Sequence, residues 1–123
     1  MRVDLAALVA AIATSCIADY LVVHTRCTSW DPKSCERTDS WFYLNGGRAS
    51  VNGNHGCRSV PIVRFMQDMC LDYDSGRGHF QFEHQHRRCM ALSPKRHTLR
   101  CPPGFFTCWR SQWDEATCPR EES

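Results

Sequence analysis

The sequence predicts a small disulfide-rich α+β domain, built from a β-hairpin, one helix over about 60–71 and an antiparallel sheet. Three observations predict it. Beyond residue 18 the chain carries Cys27, Cys35, Cys57, Cys70, Cys89, Cys101, Cys108 and Cys118, an even set spread over about a hundred residues. Leu, Ile, Val and Phe make up only 17 of residues 19–123, below the share of roughly 20 per cent that marks an adequate apolar core. Four disulfides at roughly 2–4 kcal/mol each would supply the missing constraint. Finally, the apolar spacing changes to a helical one at Ile62, Phe65, Met66, Met69 and Cys70.

Taken in order, residues 5–18 are uncharged and mostly apolar behind Arg2. That run is too short to span a bilayer and suits the core of a signal peptide. Cleavage after Ala18, with Cys16 and Ala18 at the small-residue positions, removes the ninth cysteine and leaves a single secreted, extracellular domain over 19–123. Tyr20 to Thr25 is β-branched and aromatic, hence a strand, and Thr28 to Ser40 is a polar loop. Trp41–Leu44 and Arg48–Val51 flank Asn45-Gly46-Gly47, a turn that tolerates positive φ, so they form the hairpin. Ser59 and Pro61 suit the start of the helix. After a turn over Asp72 to Gly78, His79 to His86 alternates as a strand, with Phe80 and Phe82 on its apolar face. Cys89–Leu92, Thr98–Cys101 and Phe105–Trp109 are further short strands, the last two separated by Pro102-Pro103-Gly104.

A net charge of +2, from 15 Lys and Arg against 13 Asp and Glu, excludes polybasic and acidic tails. No Cys-x-x-Cys occurs, which favours structural disulfides over zinc or redox chemistry, and eight cysteines leave 105 connectivities open. His84 and His86 share a strand face, but no nearby Asp or free thiol completes a tetrahedral set, so no metal and no cofactor is assigned. Between His84 and Trp113 there is no acidic residue. Arg87, Arg88, Lys95 and Arg96 lie there among Phe105, Phe106, Trp109 and Trp113, and this stretch is the candidate binding surface for a host protein or an anionic surface. Trp30, Trp41, Trp109 and Trp113 offer a second possibility, stacking on the sugars of a polysaccharide. A third is acid/base work on RNA by His79 and Glu83, placed on one strand face, with His84 and Arg100 near.

The order of hairpin, helix and antiparallel sheet resembles the small fungal guanyl-specific ribonucleases. That resemblance implies cleavage of RNA by residues on the sheet, for which His79, Glu83, His84 and Arg100 stand here. The apolar leader of Met1 to Ala18 together with the eight cysteines is similar to small cysteine-rich secreted fungal proteins of the effector or killer-toxin type. It implies a monomeric, toxin-like or virulence protein that acts by binding a host or competitor molecule, and this is the reading preferred from sequence. The ribonuclease and a carbohydrate-binding module are the alternatives.

Overall fold

The computed structural model describes residues 19–45, 47–60 and 66–119. The leader expected over 1–18, with Cys16, lies outside them. Among the described residues nine strands form one antiparallel sheet: β1 Tyr20–Cys27, β2 Cys35–Glu36, β3 Ser40–Leu44, β4 Gly47–Val51, β5 Gly56–Arg58, β6 Met66–Asp72, β7 Arg77–Phe82, β8 Arg88–Thr98 and β9 Thr107–Ala116. Their order is β4-β3-β1-β9-β8-β7-β6-β5, with β2 added on β1. From β5 to β9 the chain is a meander, and β9 then pairs with β1 over eight residues, from Tyr20 with Asp114 to Cys27 with Thr107.

The fold is therefore all-β, not α+β. Among the described residues the one helical element is a 3₁₀ turn at Pro32–Ser34, inside the expected polar loop. Of the helix expected over about 60–71, residues 61–65 lie outside the described set and Met66–Asp72 is strand β6. A register shift between Met66 and Asp68 explains the misreading. The extra residue of a bulge breaks the period of two, so the buried positions fall at Met66, Met69 and Leu71, where the first step of three imitates a helical stripe. The strand expected over His79 to His86 stops at Phe82, and His84 turns the chain with φ of 63°. The hairpin of β3 and β4 and the strand β1 stand where turn chemistry and β-branching put them.

The sheet curls on itself. Strands β3 and β7 are four places apart in the order, which is about 19 Å in a flat sheet. Yet the rings of Phe42 on β3 and Phe80 on β7 meet edge to face at 5.1 Å. The edge strands β4 and β5 are joined by only residues 52–55, so the curl brings the two edges toward each other without pairing them among the described residues. Side chains bridge this seam. The Tyr73 hydroxyl donates to the Gly53 carbonyl at 2.5 Å, and the Arg58 guanidinium donates to the carbonyls of Asn52 and His55. Gly53 is required there, because a Cβ would stand 2.6 Å from the Ser40 hydroxyl.

The inner face of this half-barrel is the core. Leu21 and Val23 of β1, Phe42 of β3, Met69 and Leu71 of β6, Phe80 of β7, Met90 of β8 and Trp113 of β9 are all buried. The strict alternation of buried and half-buried residues along β1 reflects the period-two geometry that puts every second side chain inside. Few aliphatics suffice because Trp113, Phe42 and Phe80 fill much of the volume.

All eight cysteines among the described residues pair, as Cys27–Cys35, Cys57–Cys70, Cys89–Cys118 and Cys101–Cys108. Four disulfides belong to an oxidising environment. The loops closed differ in length, with sequence separations of 29 for Cys89–Cys118 and 7 for Cys101–Cys108. On the loop-entropy relation, replacing the first pair by alanines costs about 3.5 kcal/mol and the second about 2.4 kcal/mol. Equilibrium urea unfolding of the two double variants checks that order, and equal or reversed losses contradict it.

Candidate functional site

The core does not fill the half-barrel to both ends. Along β9 the inward positions are Trp113, Ser111 and Trp109, facing Leu21, Val23 and Thr25 on β1 and Leu92, Arg96 and Thr98 on β8. Above Trp113 the large apolar side chains give out, and beyond Ser111 a cavity of about 610 Å³ opens to solvent. Its walls are Trp30, Arg37, Arg96, Leu99, Phe106 and Trp109, with the Cys27–Cys35 and Cys101–Cys108 disulfides on two sides. Among the described residues no carboxylate lines it.

Local structure fixes these walls. Asp31 caps the 3₁₀ turn by accepting from the Lys33 N–H at 3.0 Å, and the Cys27–Cys35 bond ties that loop back to β1. The Phe106 N–H donates to the Cys27 carbonyl at 2.7 Å, and the Leu99 N–H to the Cys108 carbonyl at 2.9 Å. Trp30, 81% exposed, stands edge to face with Phe106, itself half exposed, at 4.6 Å. The Arg96 guanidinium lies 4.5 Å over the Trp109 ring, and that of Arg37 lies 4.1 Å over Tyr73. Neither arginine has a carboxylate partner among the described residues. The Nε of Arg37 is buried and makes no hydrogen bond there.

The residues expected to bind do not form one surface. Arg88 opens β8, and Lys95 and Arg96 lie near its other end, about 26 Å along a strand at ~3.3 Å per residue. Arg88 is half-buried and committed: it pairs with Asp19 at 3.1 Å and donates through Nε to Glu115 at 2.7 Å. The Glu115 hydrogen bond raises the Arg88 pKa, while burial raises the Asp19 carboxyl above its usual range. These three side chains join β1, β8 and β9 at the end opposite the cavity. Arg87 and Lys95 are exposed. Trp113 is fully buried and stacks edge to face with Tyr73 at 5.2 Å, so it belongs to the core and offers no surface to a partner. Of that stretch Arg96, Phe106 and Trp109 meet at the cavity. The Arg48 guanidinium covers Trp41 at 4.3 Å, and the described residues include no pair of coplanar exposed tryptophans.

The acid/base set is not assembled either. His79 sits mid-strand on β7, opposite Cys70 and Cys89. Glu83 and His84 follow in the turn, 3.7 Å from each other and exposed, so Glu83 does not share a strand face with His79. Arg100 lies beyond the far end of β8 from Cys89, roughly 35 Å along the strand from His79's partner. A group that sequence reasoning did not single out, His55, Asp72 and Asp74, has ligand atoms within 4.8 Å of one another on the surface. Asp72 there organises a turn, accepting from the Ser75 hydroxyl and from the N–H groups of Asp74 and Ser75. The Ser75 hydrogen bond holds its carboxyl below the usual carboxylate value.

Arg37 and Leu99 were missed from sequence, since nothing local marks either as part of a site. Comparison of the chain with models of protein families, with curated proteins and with solved structures finds no match. No helix among the described residues is long and apolar enough to cross a membrane.

Tyr73 links the seam to the cavity wall, since it bonds Gly53 and carries Arg37 on its ring. Burial raises its phenol above the ordinary value of 10.0. A pKa raised on folding contributes stability that is complete below the unfolded value near pH 10 and is lost as pH rises through the folded one. Tyr73→Phe is expected to lower stability by about 1 kcal/mol near neutral pH, from the lost hydrogen bond, and to lack that alkaline component. Denaturant unfolding from pH 7 to 11 checks both; an unchanged variant contradicts the seam.

Proposed function

We propose that the protein is a secreted, cysteine-rich binding protein of the effector or toxin-like kind, holding a host or competitor molecule at the open end of its half-barrel. One observation carries this reading. A cavity walled by exposed Trp30 and Phe106 and by two arginines without carboxylate partners among the described residues is framed by two disulfides. Large apolar side chains held at a rigid concave surface are what binding sites use, and barrel mouths are a recurrent place for them. Four disulfides support an extracellular destination, as the apolar leader of the sequence does. Hydrolysis of RNA gains no support from the separation of His79, Glu83 and Arg100. A sugar platform gains none from Trp30 and Phe106 standing at 81° to each other.

The test is a screen of the ¹⁵N-labelled oxidised protein against a fragment set of neutral, cationic and anionic compounds, with an RNA-cleavage assay alongside. Shift changes are expected to gather on the Trp30 and Trp109 indoles and on residues 96–108. They should vanish in Trp30→Ala/Phe106→Ala, whose stability should change by less than about 0.5 kcal/mol, because both side chains are exposed. Fragment binding elsewhere, or metal-independent RNA cleavage lost in Glu83→Gln, overturns the proposal.

A further inference from the structure

The cavity also states what kind of molecule it suits, an inference that rests on the binding reading above. Arg37 and Arg96 line the same opening, and like charges at one cavity repel unless something neutralises them. Elsewhere two half-buried arginines are neutralised, Arg26 by Asp39 at 2.6 Å and Arg88 by Asp19 and Glu115, while half-buried Arg58 spends its donors on the carbonyls of Asn52 and His55. Among the described residues no acid plays that part at the cavity.

The two guanidiniums are nevertheless held in place. Each lies over an aromatic ring, at 4.1 Å on Tyr73 and 4.5 Å on Trp109. Stacking uses the face of the guanidinium and leaves its in-plane N–H donors free, which is the geometry that forks a carboxylate. Beside this cationic wall stand Trp30, Phe106 and Leu99, all exposed and apolar. We infer that the cavity takes a compact amphiphilic organic acid, its apolar or planar body against Trp30, Phe106 and Leu99 and its carboxylate shared between Arg37 and Arg96. The volume of about 610 Å³ lies inside the range of roughly 300–1,000 Å³ typical of small-molecule sites. A polyanion such as RNA would need a row of cations tracking its backbone, and the walls hold two.

The probes are matched pairs: 2-naphthaleneacetate against 2-naphthaleneethanol, and octanoate against octanol. Each is titrated into the oxidised protein at pH 7, with tryptophan fluorescence and calorimetry as readouts. The acid of each pair is expected to bind about tenfold or more tighter than its alcohol, since hydrogen bonds to charged groups are the strong ones. Arg96→Gln and Arg37→Gln should each erase that preference while leaving the alcohol's affinity within about twofold. Arg110→Gln, on the outer face between His24 and His97, should leave it intact. Arg96 is exposed, so its variant keeps the test decisive should Arg37→Gln weaken the seam. Acid and alcohol binding equally, with both lost in Trp30→Ala, overturns the acid assignment while the cavity stands as a binding site. Binding of neither also overturns it, and the fragment screen then judges the binding reading separately.

Discussion

The pairing of β1 with β9 is the constraint on which the rest of the structure depends. Eight consecutive residue pairs join the first and last strands of the described chain, and they turn two short meanders into one continuous sheet. Without that pairing β1, β3 and β4, with β2 on β1, would be a small separate sheet whose apolar face has nothing to pack against. With it, the hairpin is carried round until Phe42 reaches Phe80, and the inner face becomes a shared core. The Arg88 cluster with Asp19 and Glu115 fastens β1, β8 and β9 at one end. Cys27 at the last residue of β1 begins the disulfide-bound loops at the other.

The disulfides play a different part from the one their number suggests. Each links segments that are neighbours in the sheet or in one loop, such as Cys57 on β5 with Cys70 directly opposite on β6. None spans the interior from one wall to the other. The curl is thus held by apolar contact across the inner face and by hydrogen bonds at the seam, while the disulfides pin the periphery. At the cavity this matters for function. Cys27–Cys35 and Cys101–Cys108 hold the loops that present Trp30, Leu99 and Phe106, so under the proposed binding role the exposed apolar groups would need little further ordering.

How much of this was legible depended on whether a signal was local. β1 announced itself by β-branching, the β3–β4 hairpin by Asn45 and its glycines, and the pairing of the eight cysteines beyond residue 18 by their even number. The α+β class failed at one place, where the bulge between Met66 and Asp68 shifted the buried positions of β6 into a helix-like spacing. The candidate site was half legible. Trp30, Arg96, Phe106 and Trp109 were singled out by residue type, but as members of a linear basic stretch or a sugar platform. Their convergence with Arg37 follows from the curl, which no window of sequence contains. The same curl buries Trp113, while the length of β8 puts Arg88 at the opposite end, where it meets Asp19 and Glu115.

The account stands on a sheet that closes far enough to leave one filled interior and one open end. Nuclear Overhauser contacts in the uniformly labelled, oxidised protein test it most directly. The account predicts ring-to-ring contacts between Phe42 and Phe80 and between Tyr73 and Trp113, with extended-chain contacts through Met66–Asp72. Helical contacts over 66–71, or a Phe42 ring that touches only residues of β1 and β4, would contradict it.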